Sequence, residues 1–251
     1  FTNNYRSINI LKSLLKVYKI KNIFLAKRYL DSKLINYLNE KRIKYLIIDN
    51  TNHPKVIQSI KRDNVINIVC GFPYIFPKNL LIKSKYPIIN CHGGNLPNYR
   101  GASPLSWQII NKEKKIYIST LVVSEGIDDG KIIQKKSFKL KKNMNIQSVQ
   151  NKANTIFPKL VLNSIKILLD KKKLKNQTGK IKIYKQRHPV DSFFVPNNIR
   201  FLELYNLHRG TFPLYCPPFY FDKSKIVFIE KFKKIKSKIN DKKIKKNNIF
   251  L

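Results

Sequence analysis

Asn90, Cys91 and His92 close a short apolar run, residues 86–89, and are followed at once by Gly93 and Gly94. Residues two apart on an extended chain point to one side, so Asn90 and His92 share a face and Cys91 takes the opposite, buried one. A carboxamide donor beside an imidazole suits holding an oxyanion while a proton is moved. The two glycines let the backbone turn tightly and let a ligand come close. A second apolar strand, residues 116–123, leads into Ser124-Glu125-Gly126-Ile127-Asp128-Asp129-Gly130. A carboxylate at that strand end can reach His92 and fix its ring. Taken singly, a His at a strand end is more often structural, and Asp-Gly more often marks a hairpin turn.

The elements that must position these groups alternate. Residues 8–17, 30–40 and 54–62 read as amphipathic helices, and residues 20–25, 45–48 and 65–70 as strands. That alternation predicts a parallel sheet with crossover helices. Residues 71–77, Gly-Phe-Pro-Tyr-Ile-Phe-Pro, read as a loop pinned by its aromatics. Residues 103–111 read as a helix with Trp107 buried. Residues 148–169 read as a long amphipathic helix that Pro158 should kink or divide. Residues 171–181 are polar and contain Gly179, which marks a domain boundary. No Gly-x-Gly-x-x-Gly is present, so a nicotinamide cofactor has no support.

A chain of 251 residues with 43% hydrophobic content, 15 Phe and 13 Tyr can bury a substantial core. The net charge of +37 would ordinarily point to nucleic acid or an anionic membrane. Only eight of the 51 basic residues are Arg, however, while Lys, Ile and Asn are all abundant. That trio fits nucleotide composition better than selection for phosphate contacts, which favours bidentate Arg. Three cysteines, Cys70, Cys91 and Cys216, form no Cys-x-x-Cys pair. A metal site and a disulfide framework are therefore not expected, and a reducing cytoplasm is. No apolar run reaches the ~18 residues of a membrane span, and no signal peptide is evident. The basic stretch 231–248 is expected to be a frayed or clipped end.

In combination the motifs resemble the formyltransferases that use 10-formyltetrahydrofolate. The hallmark of that family is Asn-x-His, then Leu-Pro-x-Tyr-Arg-Gly-x-x-Pro, then Glu-Gly-(Ile/Leu)-Asp-x-Gly. This chain has Asn90-Cys91-His92, Leu96 through Pro104, and Glu125 through Gly130. The resemblance implies that Asn90, His92 and Asp128 are catalytic. It also implies that Tyr74, Ile75, Phe76, Ala102, Ser124, Glu125, Gly126 and Ile127 contact the folate, with no metal. The implied architecture is α/β: a Rossmann-like parallel-sheet catalytic domain over residues 1–178, its first strand missing. A small C-terminal α+β segment over 179–251 stands where larger members carry a barrel. Arg187-His188-Pro189-Val190-Asp191-Ser192 resembles the family's entry to that part. The family's Trp after this Asp is replaced here, with Pro196 and Asn197 nearby.

The triad implies formyl transfer without naming the amine. Asp49-Asn50-Thr51-Asn52-His53-Pro54 resembles a segment of the aminoarabinose formyltransferase, and Asp191-Ser192-Phe193 points the same way. The expected acceptor is thus the amine of a nucleotide-linked amino sugar, its phosphates met by Arg100, Arg187 or Arg209. The alternatives are methionyl-tRNA as acceptor, a formyltetrahydrofolate hydrolase, and a non-catalytic binding module. A homodimer is compatible with the resemblance. His53 itself reads as an N-terminal helix residue before Pro54.

Overall fold

The computed structural model describes residues 1–232. In the first 92 residues helices and strands alternate: α1 (Ile8–Leu15), β1 (Phe24–Ala26), α2 (Ser32–Glu40), β2 (Leu46–Ile48), α3 (Pro54–Lys61), β3 (Ile68–Cys70), α4 (Lys78–Leu81) and β4 (Ile89–His92). There follow β5 (Arg100–Gly101), α5 (Pro104–Ile110), β6 (Lys115–Val122), β7 (Ile132–Lys139) and α6 (Ile146–Leu169). The remaining elements are β8 (Ile183–Tyr184), α7 (Phe201–Thr211), β9 (Phe219–Asp222) and β10 (Lys225–Phe228). No described helix is long and apolar enough to cross a membrane. The basic stretch 231–248 lies outside the described residues from 233 on.

Local chemistry sets the helix starts. Asp31 caps α2, its Oδ1 accepting from Leu34 N at 3.1 Å, and His53 caps α3 through Nδ1 accepting from Lys55 N at 3.2 Å. Pro54 occupies the first helical position, where its missing N–H costs nothing. All three residues of β1 are buried. Phe24 joins a cluster with Ile48, Val56, Ile60, Val69, Phe76 and Leu80, whereas Leu25 joins Leu11, Ile23, Leu34 and Leu38. Successive strand residues thus feed two cores, which is why such strands read as unbroken apolar runs.

The pairing is parallel for β1 with β2 and for β3 with β4. Phe1 and Thr2 run between β1 and β3: Thr2 N donates to Phe24 O at 3.0 Å, and Cys70 N donates to Phe1 O at 2.9 Å. Beyond β4 the sheet is mixed, because β6 pairs antiparallel with β4, His92 facing Ser119 and Ile89 facing Val122. The alternating first part thus gives the parallel pairing expected of it, and β6 adds an antiparallel neighbour. Strand order in this sheet is β3-β4-β6-β7.

Helix α6 continues through Pro158, so the expected division does not occur. The proline removes the N–H that would have bonded Asn154 O, and Asn9 Nδ2 approaches that carbonyl at 3.4 Å instead. Two compact units emerge. The first comprises Phe1–Arg100, Tyr117–Ser137 and Lys152–Ile183; the second comprises Gly101–Ile116, Phe138–Asn151 and the described residues from Tyr184 on. In the second unit α5 packs on α7, with Ser106 Oγ donating to Gly210 O at 2.5 Å, and β9 and β10 form an antiparallel hairpin.

Candidate active site

Strand β4 ends at His92, and β6 beside it leads into the turn that carries Asp128. The three residues singled out by spacing meet. Asn90 Nδ2 donates to Asp128 Oδ1 at 3.0 Å, and His92 Nδ1 lies 3.3 Å from Asp128 Oδ2. Each carboxylate oxygen therefore serves one partner. The His92 side chain is only 6% exposed and that of Asp128 14%. On its far side, His92 Nε2 sits 2.5 Å from Tyr99 O. Both ring nitrogens thus face oxygen acceptors, so either neutral tautomer donates to one of them. Asn90 Nδ2 has two hydrogens and gives one to Asp128, which leaves donor capacity for a reacting oxygen.

Two glycines make this approach possible. A Cβ on Gly94 would overlap the His92 ring and the Tyr99 carbonyl, and one on Gly130 would overlap the Val122 carbonyl. Asp128 itself lies in the left-handed region at φ +49°. Such a backbone persists only where its surroundings over-determine it. Sequence reasoning missed several of those surroundings. Ser119 Oγ donates to Gly94 O at 2.9 Å, and Lys135 Nζ donates to Asn95 Oδ1 at 2.9 Å and Leu96 O at 2.7 Å. Burial lowers the Lys135 pKa from its ordinary value. Gln177 Nε2 donates to Asp128 O and Gly130 O. Lys135 is on β7, a strand that the sequence reading omitted because its Lys-rich face hides the alternation.

Cys91 pairs in register with Cys70 on β3. Their shared hydrogen bond, followed by burial, holds the Cys91 thiol well above the usual range. A thiol in that state is a poor nucleophile.

The loop residues named for folate fall in distinct environments. Ile75 is 74% and Ile127 54% exposed, Tyr74 is half-buried, and Phe76 is core at 2%, its ring 5.0 Å from that of Phe1. Phe72, Tyr74 and Val123 pack on the cluster that holds Phe76, and Lys78 Nζ lies 3.3 Å from Glu125 Oε1. These contacts join the 72–78 loop to the 123–128 loop. Thr51 Oγ1 donates to Ile75 O at 2.9 Å, which ties in the Asp49–Pro54 segment. Ser124 Oγ donates to Asp129 Oδ1. Ala102 lies in the second unit, its N–H donating to Tyr184 O at 2.9 Å.

Two of the arginines expected to meet phosphates are committed to protein. Arg187 Nη2 donates to Asp191 O at 2.8 Å and Ser192 Oγ at 3.3 Å, and its guanidinium stacks 4.8 Å from the Trp107 ring. Arg209 donates to Asn206 Oδ1 at 2.8 Å and Lys141 O at 3.1 Å. Arg187 is buried and Arg209 half-buried, and each keeps guanidinium N–H groups beyond these bonds. Arg100 spends Nε on Gln177 Oε1 at 3.1 Å.

An α/β sheet presenting a carboxamide, an imidazole and a carboxylate at the end of one strand and the adjoining turn is the pattern of a group-transfer enzyme. A family model described as formyl transferase matches residues 27–165, more than half of the chain, and the chain belongs to that family. It is 33% identical over 154 residues to a methionyl-tRNA formyltransferase of Thermodesulfovibrio yellowstonii, covering 59% of this chain and 48% of that one. The chain spans about half the length of the curated relatives it matches. Among solved structures, a 4-N formyltransferase from Francisella tularensis superposes with a TM-score of 0.76 at 21% identity, over 93% of this chain and 97% of that one. An N-formyltransferase from Helicobacter canadensis, in complex with folinic acid and dTDP-3-aminofucose, superposes with a TM-score of 0.67 at 18% identity, over 83% and 78%.

Proposed function

We propose that this chain transfers a formyl group from 10-formyltetrahydrofolate to the amine of a nucleotide-linked amino sugar in the cytoplasm. The observation that carries the reading is the interlocked triad: one carboxylate holds Asn90 at 3.0 Å and His92 at 3.3 Å. Bound folate supplies an activated formyl carbon. Asn90 offers its second amide hydrogen to the oxygen that gains charge as the amine attacks. His92, oriented by Asp128, takes up the proton released by the amine, directly or through a water at Asp128. As the oxyanion collapses, the bond between the formyl carbon and the folate nitrogen breaks, that nitrogen gains a proton, and tetrahydrofolate leaves. The buried Cys91 thiol has no part in this, so transfer is direct.

The residues present fit a folate. Two joined loops expose Ile75 and Ile127, large apolar side chains that a pterin would cover, and Tyr74 lies beside them. Backbone groups of Glu125, Gly126 and Ile127 would read its polar edge, and Ser124 completes the set. Phe76 contributes from beneath as a core residue. Such pockets are mostly apolar with a few fixed polar groups.

For the sugar, the support is the Asp49–Pro54 segment bonded to the Ile75 loop, and the likeness to the Helicobacter N-formyltransferase in complex with dTDP-3-aminofucose. A second reading, methionyl-tRNA as acceptor, has its own support in the 33% identical relative and the charge of +37. The test supplies 10-formyltetrahydrofolate with 4-amino and 3-amino nucleotide sugars and with methionyl-tRNA. Consumption of a sugar amine is the expected result. Faster turnover of methionyl-tRNA than of every sugar would overturn it, and that tRNA binding should weaken with salt by about 0.7–0.9 log units per log unit for each phosphate contacted.

A further inference from the structure

Gln177 sits 49 residues past Asp128 in a stretch whose composition reads as a polar boundary. Its Nε2 donates to Asp128 O at 2.7 Å and to Gly130 O at 2.8 Å, while its Oε1 accepts from Arg100 Nε at 3.1 Å. These three contacts fix which way the amide faces. Turned over, Oε1 would meet two carbonyl oxygens and the amino group would meet a guanidinium N–H. One side chain therefore grips both ends of the Asp128–Gly130 turn and anchors them to Arg100, eight residues beyond His92.

We propose that Gln177 is a positioning residue for Asp128. The proposal rests on the formyl-transfer reading, which makes Asp128 the group that orients Asn90 and His92. Asp128 sits in the left-handed region at φ +49°, a conformation that relaxes unless something holds it. Bonding at the carbonyls of residues 128 and 130 holds the main chain on both sides of the bend. The carboxylate is thereby kept where its two oxygens meet Nδ2 of Asn90 and Nδ1 of His92. Gln177 touches no reacting atom in this scheme; its effect is the alignment of the group that does.

The decisive variants are Gln177→Ala and Gln177→Glu. Glutamate keeps the size of the side chain and an acceptor for Arg100, but it points a carboxylate at two carbonyl oxygens. A misplacement of about 1 Å at a catalytic group costs on the order of 10²-fold, so both variants should lose roughly 10–100-fold in kcat while KM for the folate changes little. A Gln177→Glu enzyme with wild-type kcat would show that only bulk matters and would overturn the proposal. A crystal structure of Gln177→Ala gives a readout that needs no acceptor. Asp128 is expected beyond hydrogen-bond reach of His92, and an unmoved carboxylate would sink the idea. If the wild-type chain transferred formyl to no acceptor, the functional reading would fail, and the crystal structure would still decide the role of Gln177.

Discussion

Around Asp128 three side chains bond chiefly to one another, whereas around Arg187 a guanidinium bonds to main-chain and hydroxyl oxygens and stacks on an indole. The first cluster combines backbone features, a left-handed residue and two glycines that a Cβ would spoil, with the side chains of Ser119, Lys135 and Gln177 that tie its loops. The second is held by side chains. Ser192 Oγ donates onward to Cys216 O at 2.8 Å, Trp107 Nε1 donates to Lys185 O at 3.1 Å, and Asp191 accepts from His188 N at 2.8 Å. Burial pulls the Arg187 pKa down, although Asp191 and other neighbours oppose the shift. The difference teaches what each cluster is for. Arg187 turns Nη2 to oxygens of the fold, whereas Asn90 keeps a hydrogen for a ligand.

If that contrast is sound, truncation at the first cluster should abolish turnover and spare stability. Asn90→Ala is expected to cost about 10²–10³ in turnover and His92→Ala about 10²–10⁴, with thermal unfolding close to wild type. Formyl transfer assays beside calorimetry check both halves. A His92→Ala protein that melts far below wild type would blur the contrast.

The reverse is expected for Arg187→Ala. It removes two hydrogen bonds to a charged donor and a stacked indole contact, roughly 2–4 kcal/mol together. The melting temperature should fall by about 4–16 °C, while a calorimetric titration with a folate analogue shows unchanged affinity. A weakened folate site in this variant would mean that the second cluster serves binding after all.

A smaller effect sharpens the second cluster further. The Asp191 carboxyl is held below its ordinary value, first by the His188 N–H and then by Lys185, whose Nζ is 3.0 Å away, with burial opposing. A depressed carboxylate contributes stability above its unfolded pKa and loses it as pH falls through the folded one. Asp191→Asn should therefore cost about 1 kcal/mol at neutral pH and almost nothing once Asp191 is protonated in acid. Melting curves over that range test it, and a cost that persists in strong acid would contradict the assignment.

The smallest change concerns Cys91. Cys91→Ser should leave turnover nearly intact and cost less than about 1.5 kcal/mol. Loss of activity as great as in His92→Ala, in a stably folded protein, would reinstate a covalent route.

Much of the first cluster was legible in the sequence, because strand spacing puts Asn90 and His92 on one face and the Gly-flanked acidic turn follows β6. The helix starts were legible for a similar reason: Asp31 and His53-Pro54 carry capping chemistry in their residue types. Other features leave no such trace. Gln177 acts on main-chain carbonyls, which any sequence possesses, so neither periodicity nor composition marks it. The antiparallel course of β6 depends on where the preceding segment ends, and an apolar run reads alike in both directions. Pro158 misled because the carbonyl it frees is met by Asn9, 145 residues earlier in the chain.

The distance along the chain from Asp128 to Gln177 also bears on when the site can exist during synthesis. A ribosome adds roughly 5–20 residues per second, so the residues that form the triad emerge some 2–10 s before the side chain that clasps their turn. During that interval β4 and β6 can pair, but the bend at Asp128 lacks the two bonds from Gln177. A nascent chain arrested short of residue 177 should therefore fold its early strands and still lack an aligned carboxylate. Competence would then arrive as one late step, after most of the first unit has been made.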